Sequence, residues 1–177
     1  MEFTEVIKKR RSTRRFLAKD VDDAILRDIL TLVARYAPSS RNTHSTSFLV
    51  VKDKDLLAKM SLMRDYGSAF LSSAPAAVVV LGDEQKSDLF RENCTISATM
   101  LQEAIVDRGL SSCWIHVLDR EREKDNPEAG QAEAYLKDLL KIREEHLRIE
   151  CVIALGYVDY TPKPLPEFDF ESAIRWL

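Results

Sequence analysis

Four short apolar runs constrain the fold of this chain more than any other feature. They are residues 47–52 (SFLVVK), 76–81 (AAVVVL), 112–118 (SCWIHVL) and 149–155 (IECVIAL). Each has the length of a strand and is rich in β-branched side chains. The second and fourth runs are apolar almost throughout, which is typical of strands covered on both faces. The sequence therefore predicts a sheet with buried strands.

Helical patterns fill the segments between these runs. Apolar residues recur at steps of three and four over residues 21–37, 95–108 and 131–147. A short N-terminal helix is predicted from about Thr4, as its N-cap, to about Arg10. Gly109 follows the 95–108 pattern at the position of a C-terminal cap. Helices that alternate with buried strands indicate an α/β or α+β layered domain, and the length of 177 residues favours one domain over 1–177.

The C-terminal arm, residues 157–177, differs from the rest of the chain. Prolines at 162, 164 and 166 exclude a regular helix there and favour an extended conformation. The arm also carries the large apolar residues Phe168, Phe170, Ile174 and Trp176. These side chains need an apolar surface to cover, on the same chain or on a partner subunit.

Composition excludes several classes of protein. The 26 Lys and Arg against 29 Asp and Glu give a net charge of −3, which argues against a nucleic-acid-binding protein. Three cysteines and three histidines lack metal-ligand spacing, so no metal site is predicted. The N-terminus lacks the features of a secretory signal, and no apolar run approaches the ~20 residues of a membrane span. We expect a cytoplasmic protein that does not bind membranes.

The five glycines are too widely separated to build a glycine-rich phosphate loop. Neither GxGxxG nor GxxxxGK[ST] occurs. A phosphorylated cofactor would therefore have to be held by side chains.

A basic stretch, KKRRSTRRF at residues 8–16, offers such side chains. If the first helix ends near Arg10, then Arg10, Ser12 and Arg14 alternate along an extended segment and point to one side. Two guanidiniums that flank a hydroxyl suit a phosphate group, while Arg11 and Arg15 would point the other way. The alternative is a solvated basic surface, or cations that interact with the dipole of the helix end.

A second polar segment, APSSRNTHSTSF at residues 37–48, joins the predicted second helix to the first strand. After Pro38 it carries the small polar residues Ser39, Ser40 and Asn42. By itself this segment is consistent with an ordinary loop.

Four segments in register resemble the nitroreductase-like FMN-dependent oxidoreductases. RRSTRRF resembles the RRSxRxF motif of that family, and APSSRNTHSTSF is similar to its PSxxNxQPWxF segment. GLSSCWIH (109–116) resembles the GLGSCWIG-type strand, and VIALGYVDYTPKP (152–164) resembles the closing VIALGYPxxxPxPK segment. The resemblance runs from about Phe3 to Lys163.

The resemblance implies an α+β, three-layer fold with a central, mostly antiparallel sheet flanked by helices. It also implies a homodimer with FMN at the subunit interface and a C-terminal arm that extends onto the partner. The expected activity is FMN-dependent reduction of small electron acceptors, such as nitroaromatics or quinones, by NADH or NADPH. Hydride transfer through the flavin would follow ping-pong kinetics, and the flavin, not a protein side chain, would carry the chemistry.

By the same resemblance, residues from four parts of the chain would bind the cofactor. Arg10 and Ser12 would hold the phosphate, and Arg14 would lie towards the ribityl chain and pyrimidine edge. The remaining cofactor-binding candidates are Arg11, Pro38, Ser39, Ser40, Asn42, Trp114, His116, Val117 and Lys163. Residues 38–42 would come from the partner chain. His44 and Tyr66 are candidates for the substrate pocket.

The sequence departs from the family pattern at the pocket. His44-Ser45-Thr46 stands where the family has Gln-Pro-Trp, which removes an aromatic side chain, and His116-Val117 replaces smaller residues. No arginine follows Lys163. An alternative function is therefore an FMN-binding flavin carrier or redox sensor with little turnover. His116 is a weak candidate for proton transfer, because an imidazole titrates near neutral pH.

Overall fold

Four antiparallel strands form one sheet in the computed structural model, which describes all 177 residues. In chain order they are β1 (Thr46–Val51), β2 (Ala76–Asp83), β3 (Ser111–His116) and β4 (Leu147–Gly156). Their order across the sheet is β1-β2-β4-β3, so β1 and β3 are the edge strands. The four apolar runs are thus the strands, and the predicted antiparallel sheet is confirmed.

Helices cover both faces of the sheet and make a three-layer structure. The helices are α1 (Phe3–Lys9), α2 (Asp23–Tyr36), α3 (Lys54–Met60), α4 (Phe90–Asp107) and α5 (Ala132–Leu139). The apolar faces of α2 and α4 pack on one face of the sheet. The other face is covered by α3, α5 and the short 3₁₀ turns before β2. The two cores explain why β2 is buried along its whole length.

The end of α4 follows the sequence closely. Gly109 has a φ of 73°, and its N–H bonds to the carbonyl of Val106, while Leu110 N–H bonds to the carbonyl of Ile105. This is the hydrogen-bond pattern of a glycine-capped helix end. The predicted cap is confirmed, and it delivers the chain directly into β3.

Three helix boundaries differ from the sequence prediction, and the first is the start of α4, which lies at Phe90 and not near residue 95. The helix expected over 131–147 ends at Leu139, because the N–H groups of Lys141 and Ile142 turn back to the carbonyls of Asp138 and Lys137. Lys141 supplies the left-handed conformation (φ 58°) that such an end requires. At the N-terminus α1 begins at Phe3, two residues after Met1, so Thr4 is inside the helix and is not its cap.

The structure has neither a helix suited to cross a membrane nor a cluster of side chains suited to bind a metal. No helix combines the length and apolar composition needed to cross a bilayer. No group of three or more His, Cys, Asp or Glu side chains is arranged to hold a metal ion. Cys94, Cys113 and Cys151 are all buried as free thiols.

Apart from Tyr157, which packs against the core, the C-terminal arm leaves its large apolar side chains uncovered. It has no regular secondary structure apart from one 3₁₀ turn, Glu171–Ala173. Phe168, Phe170 and Trp176 are 71%, 66% and 91% exposed. The need for an apolar surface is therefore not met within this chain.

Candidate functional site

The basic stretch runs as an extended segment beside the start of β3. After α1 ends, Ser12 pairs with Ser112 in a parallel bridge, and Thr13 N–H donates to the carbonyl of Ser112 at 2.9 Å. Further along, Leu17 N–H donates to the carbonyl of Tyr157 at 2.8 Å. These bonds fix the direction of each side chain between residues 10 and 16.

Within this segment Arg10, Ser12 and Arg14 all influence the pKa of one buried thiol, that of Cys113. Thr13 is 2% exposed, whereas Ser12 and Arg14 are exposed and Arg10 is half-buried. Burial raises the pKa of the Cys113 thiol, while Arg14, the hydroxyl of Ser12 and then Arg10 act in the opposite direction. This common influence on Cys113 agrees with the alternation that turns the three side chains to one side of the segment. We call Arg10, Ser12 and Arg14 the arginine cradle.

The neighbouring arginines are engaged elsewhere. Arg11 donates from one nitrogen to the carbonyls of Lys8 and Arg10, both at 2.7 Å, so it caps the C-terminal end of α1. The guanidinium of Arg15 stacks over the ring of Tyr160 at 4.4 Å. Arg11 and Arg15 thus contact other groups than the arginine cradle does, as expected for alternating residues of an extended segment. A cofactor contact by Arg11 stays a prediction.

The polar loop at residues 38–45 is held by a buried asparagine that the sequence analysis missed. Asn93, on α4 and 2% exposed, accepts from Ser40 N–H at 2.9 Å. Its amide nitrogen donates to the hydroxyls of Ser45 (2.9 Å) and Ser87 (3.3 Å). The signal in the sequence is an amide side chain next to Cys94 on the buried face of α4, which also carries the polar residues Ser97 and Gln102.

This loop has a strained backbone. Arg41, Asn42 and His44 have φ values of 51°, 55° and 46°, in the left-handed region that residues other than glycine rarely adopt. His44 N–H donates to the hydroxyl of Ser39 at 3.0 Å, which closes the loop on itself. Strain of this kind persists where surrounding contacts impose it, and it is concentrated at functional sites. Here Asn93 supplies those contacts.

We expect Asn93→Ala to lower the free energy of unfolding by about 1–3 kcal/mol, because Ser40 N–H would lose its partner inside the protein. The loop at 38–45 would also become mobile. Chemical denaturation measures the first effect, and hydrogen exchange at Ser40 measures the second. Thr95→Ala, an exposed change on the same helix, is the matched control. Equal stabilities for the two variants would show that Asn93 does not hold the loop.

The outer edge of β3 presents free backbone groups. Because Ser112 turns its carbonyl outwards to Thr13, the alternation of an antiparallel strand turns the backbone groups of Trp114 and His116 outwards as well. The amide of Val117 points inwards and donates to the carbonyl of Glu150 at 3.1 Å. Of the three residues predicted here, Trp114 and His116 therefore offer backbone contacts to a bound group.

Arg64 lies against this edge. One of its terminal nitrogens approaches the carbonyl of His116 at 3.4 Å, and its guanidinium stacks over Tyr66 at 4.5 Å. Its Nε is buried and has no hydrogen-bond partner. Arg14, in the segment beside β3, approaches the ring of Phe70 at 5.9 Å from its centroid. Two cations and two aromatic rings thus flank the edge of β3.

One chain does not bring all the predicted residues together. The arginine cradle lies beside β3, and the 38–45 loop leads into β1 at the opposite edge of the sheet. Three strand intervals separate these edges, which is about 14 Å at the usual spacing. The segments also lie at opposite ends of their strands, since Thr46 faces Gly82 while Ser111 faces Gly156 at the other end of β4.

The other two candidates lie on the surface. Lys163 is exposed at the start of the arm. His44 lines a very small cavity between α2, α4 and β1, together with Phe48 and Ser97. This cavity is too small for a flavin, so His44 would have to act at the surface of the loop.

Comparison with known proteins covers nearly the whole chain. A sequence model described as "Nitroreductase family" matches residues 7–64 and 61–157. A protein of Archaeoglobus fulgidus named "Putative NADH dehydrogenase/NAD(P)H nitroreductase" is 32% identical over 176 residues, which cover 97% of this chain and 91% of the relative.

Solved structures agree with this match. The FMN-dependent nitroreductase of Clostridium difficile R20291 superposes with a TM-score of 0.86 at 33% identity, over 97% of this chain and 96% of its own. A structure from Desulfovibrio desulfuricans in complex with FMN has a TM-score of 0.77 over 100% of this chain and 98% of its own. At 19% identity the latter supports the fold alone.

Proposed function

The chain belongs to the nitroreductase family, and from that membership we propose that it is an FMN-dependent oxidoreductase. It would use NADH or NADPH to reduce small electron acceptors such as nitroaromatics or quinones. The observation that carries the proposal is the arginine cradle beside an open strand edge. The names of the relatives, an FMN-dependent nitroreductase and an NAD(P)H nitroreductase, support the same cofactors.

The donor set of the cradle fits a phosphate group. Lys8 has Glu5 as a partner and Arg15 approaches Asp159, whereas Arg10 and Arg14 have no carboxylate partner. Two unpaired guanidiniums beside the hydroxyl of Ser12 provide charged donors for phosphate oxygens. Since no glycine-rich loop exists, these side chains would hold the phosphate of FMN.

The edge of β3 fits the flat ring system of a flavin. The outward backbone groups of Trp114 and His116 can hydrogen-bond to polar atoms on its rim, and Arg64 brings a positive charge to the same edge. When bound, FMN would accept a hydride from NAD(P)H and pass it to the acceptor. The protein would bind and orient the ring, and its cations would stabilise developing negative charge.

We propose a homodimer as the form that completes this site. The loop at 38–45 is at the other edge of its own sheet, so it would reach the cradle of a second chain. The exposed arm supports this proposal, since Phe168, Phe170 and Trp176 would be covered by the partner. A groove between α2 and β1 is a suitable receiving surface, because it exposes Leu30, Phe48 and Val50 beside polar and charged residues.

The flavin carrier is weakened as an alternative. One of its supports was that His116 and Val117 would crowd the ring. The side chain of Val117 is fully buried in the core that contains α3 and α5, so it does not narrow the edge of β3. The remaining supports are His116, whose side chain is 36% exposed, and the aromatic side chain that is missing at residues 44–46.

We expect purified protein to absorb in the flavin bands, either as isolated or after incubation with FMN. NADPH or NADH should bleach these bands without oxygen, and a quinone should restore them within the same cuvette. A protein that stays colourless contradicts the proposed cofactor. A coloured protein that neither nicotinamide bleaches is the carrier.

A further inference from the structure

A β-bulge in β4 places a carboxylate inside the protein. Val80 on β2 faces Cys151, but the next residue, Leu81, faces Ile149, so Glu150 is the extra residue. The bulge reverses the alternation along β4. Ile149 lies in one core, and Cys151, two residues later, lies in the other. Glu150 is 5% exposed as a result. Bulges that re-aim a side chain are common beside active sites.

His116 is the nearest group that can satisfy this carboxylate. Its Nδ1 lies 3.5 Å from Oε1 of Glu150, and Oε2 is buried without any hydrogen-bond partner. The nearby arginines are already paired: Arg91 with Asp119 at 2.8 Å, and Arg148 with Glu133 at 2.9 Å. A buried carboxylate with an unpaired oxygen is costly, so its retention needs a reason.

The same bulge holds the strand on which the histidine lies. The carbonyl of Glu150 accepts from Val117 N–H at 3.1 Å and from Leu118 N–H at 3.2 Å. His116 itself is at the outer edge of β3, with its carbonyl near Arg64. Because Nδ1 faces Glu150, Nε2 is left for the half-exposed side of the ring.

We propose that Glu150 is a positioning residue for His116: it accepts a hydrogen bond from Nδ1–H, and Nε2–H then delivers a proton to the acceptor at the edge of β3. This inference rests on the proposed function. Glu150 does not touch the acceptor; it selects the tautomer and stabilises the imidazolium. A histidine oriented in this way by a carboxylate is a common arrangement at sites of proton transfer.

The reduction needs one such proton. A quinone that receives a hydride gains two electrons and one hydrogen, and one carbonyl oxygen becomes a phenolate. The proton on Nε2 of the imidazolium moves to that oxygen and gives the hydroquinone. His116 is left neutral with Nδ1–H still directed at Glu150, and water returns a proton to Nε2.

The surrounding charges bring the two proton affinities together. Burial raises the pKa of Glu150, Arg91 opposes the rise, and Asp119, Glu92 and Glu133 add to it. Burial lowers the pKa of His116, as do Arg120, Arg64 and Arg91, while Asp119 raises it. Neither group is among the causes of the other's pKa shift, so the observation that links them is the 3.5 Å distance from Nδ1 to Oε1.

Proton NMR of the flavin-free protein tests the pair directly. The chain has three histidines, His44, His116 and His146, and His116→Gln assigns the signal of His116. We expect Glu150→Gln to lower the pKa of His116 by about 1–2 units, because a carboxylate at this distance stabilises the imidazolium. Dispersed amide signals in the same spectra show that the variant is folded. An unchanged pKa of His116 overturns the inference.

Two further measurements separate the inference from the proposed function. If Glu150→Gln does not fold, carbon NMR of the Glu150 carboxyl can be compared between the native protein and His116→Gln, and an identical titration overturns the pair. In the loaded enzyme, the decline of quinone reduction with rising pH should move to lower pH in Glu150→Gln. The bleaching of the flavin bands by NADPH should not change. A protein without flavin would contradict the proposed function and leave the NMR result intact.

Discussion

Arg10→Ala should weaken the binding of FMN by about 10- to 100-fold, since a hydrogen bond to a charged group contributes about 1.5–3 kcal/mol. Arg10 is the half-buried member of the cradle, so its guanidinium is less screened by water than that of Arg14. It also lacks a carboxylate partner that could compete for it. Titration of the flavin-free protein with FMN, followed by quenching of flavin fluorescence, gives the dissociation constant.

Arg15→Ala is the matched control for this experiment. It removes the same charge from the same extended segment, but its side chain stacks on Tyr160, away from the cradle. Its effect on the dissociation constant should be small and should disappear in added salt. If both variants weaken binding equally, the basic stretch attracts FMN only through its total charge. The proposed contact between the arginine cradle and the phosphate would then be wrong.

Much of the fold could be predicted because its signals are local. The four runs contain enough β-branched and apolar residues to indicate buried strands, and Gly109 marks a helix end by its freedom to adopt positive φ. The alternation of Arg10, Ser12 and Arg14 also needs only an extended segment. Each of these features is decided by residues that are neighbours in the sequence.

The features that were missed depend on distant contacts. Lys141 adopts a left-handed conformation that lysine rarely adopts, so the sequence predicted the end of α5 too far along the chain. Asn93 was missed because its partners, Ser40 and Ser45, are about fifty residues away. In the sequence Glu150 is a single charged residue within an apolar strand. Its place in a bulge is visible only in the pairing of β2 with β4. A single sequence does not show which residues of neighbouring strands pair or which distant side chains meet, so these contacts could not be predicted from it.

Mixed dimers should recover a binding site that neither parent variant has. We expect both Arg10→Ala and Asn42→Gly to bind FMN weakly as homodimers. Glycine suits the second position because Asn42 has a φ of 55°, so the change removes the amide without adding backbone strain. In the mixed dimer one site combines the two altered segments. The other site combines an unaltered cradle from one chain with an unaltered loop from its partner.

Co-expression of the two variants with different affinity tags, followed by purification on both tags, isolates the mixed dimer. A two-fold dimer has two sites, each formed by the cradle of one chain and the loop of the other. We therefore expect one of the two sites in each mixed dimer to bind FMN tightly. FMN should be titrated at a concentration at which both parents remain largely empty. Mixed dimers that bind FMN no better than the parents would show that the cradle and the loop of one chain form the same site. The separation of about 14 Å, three strand intervals within one sheet, argues against that outcome.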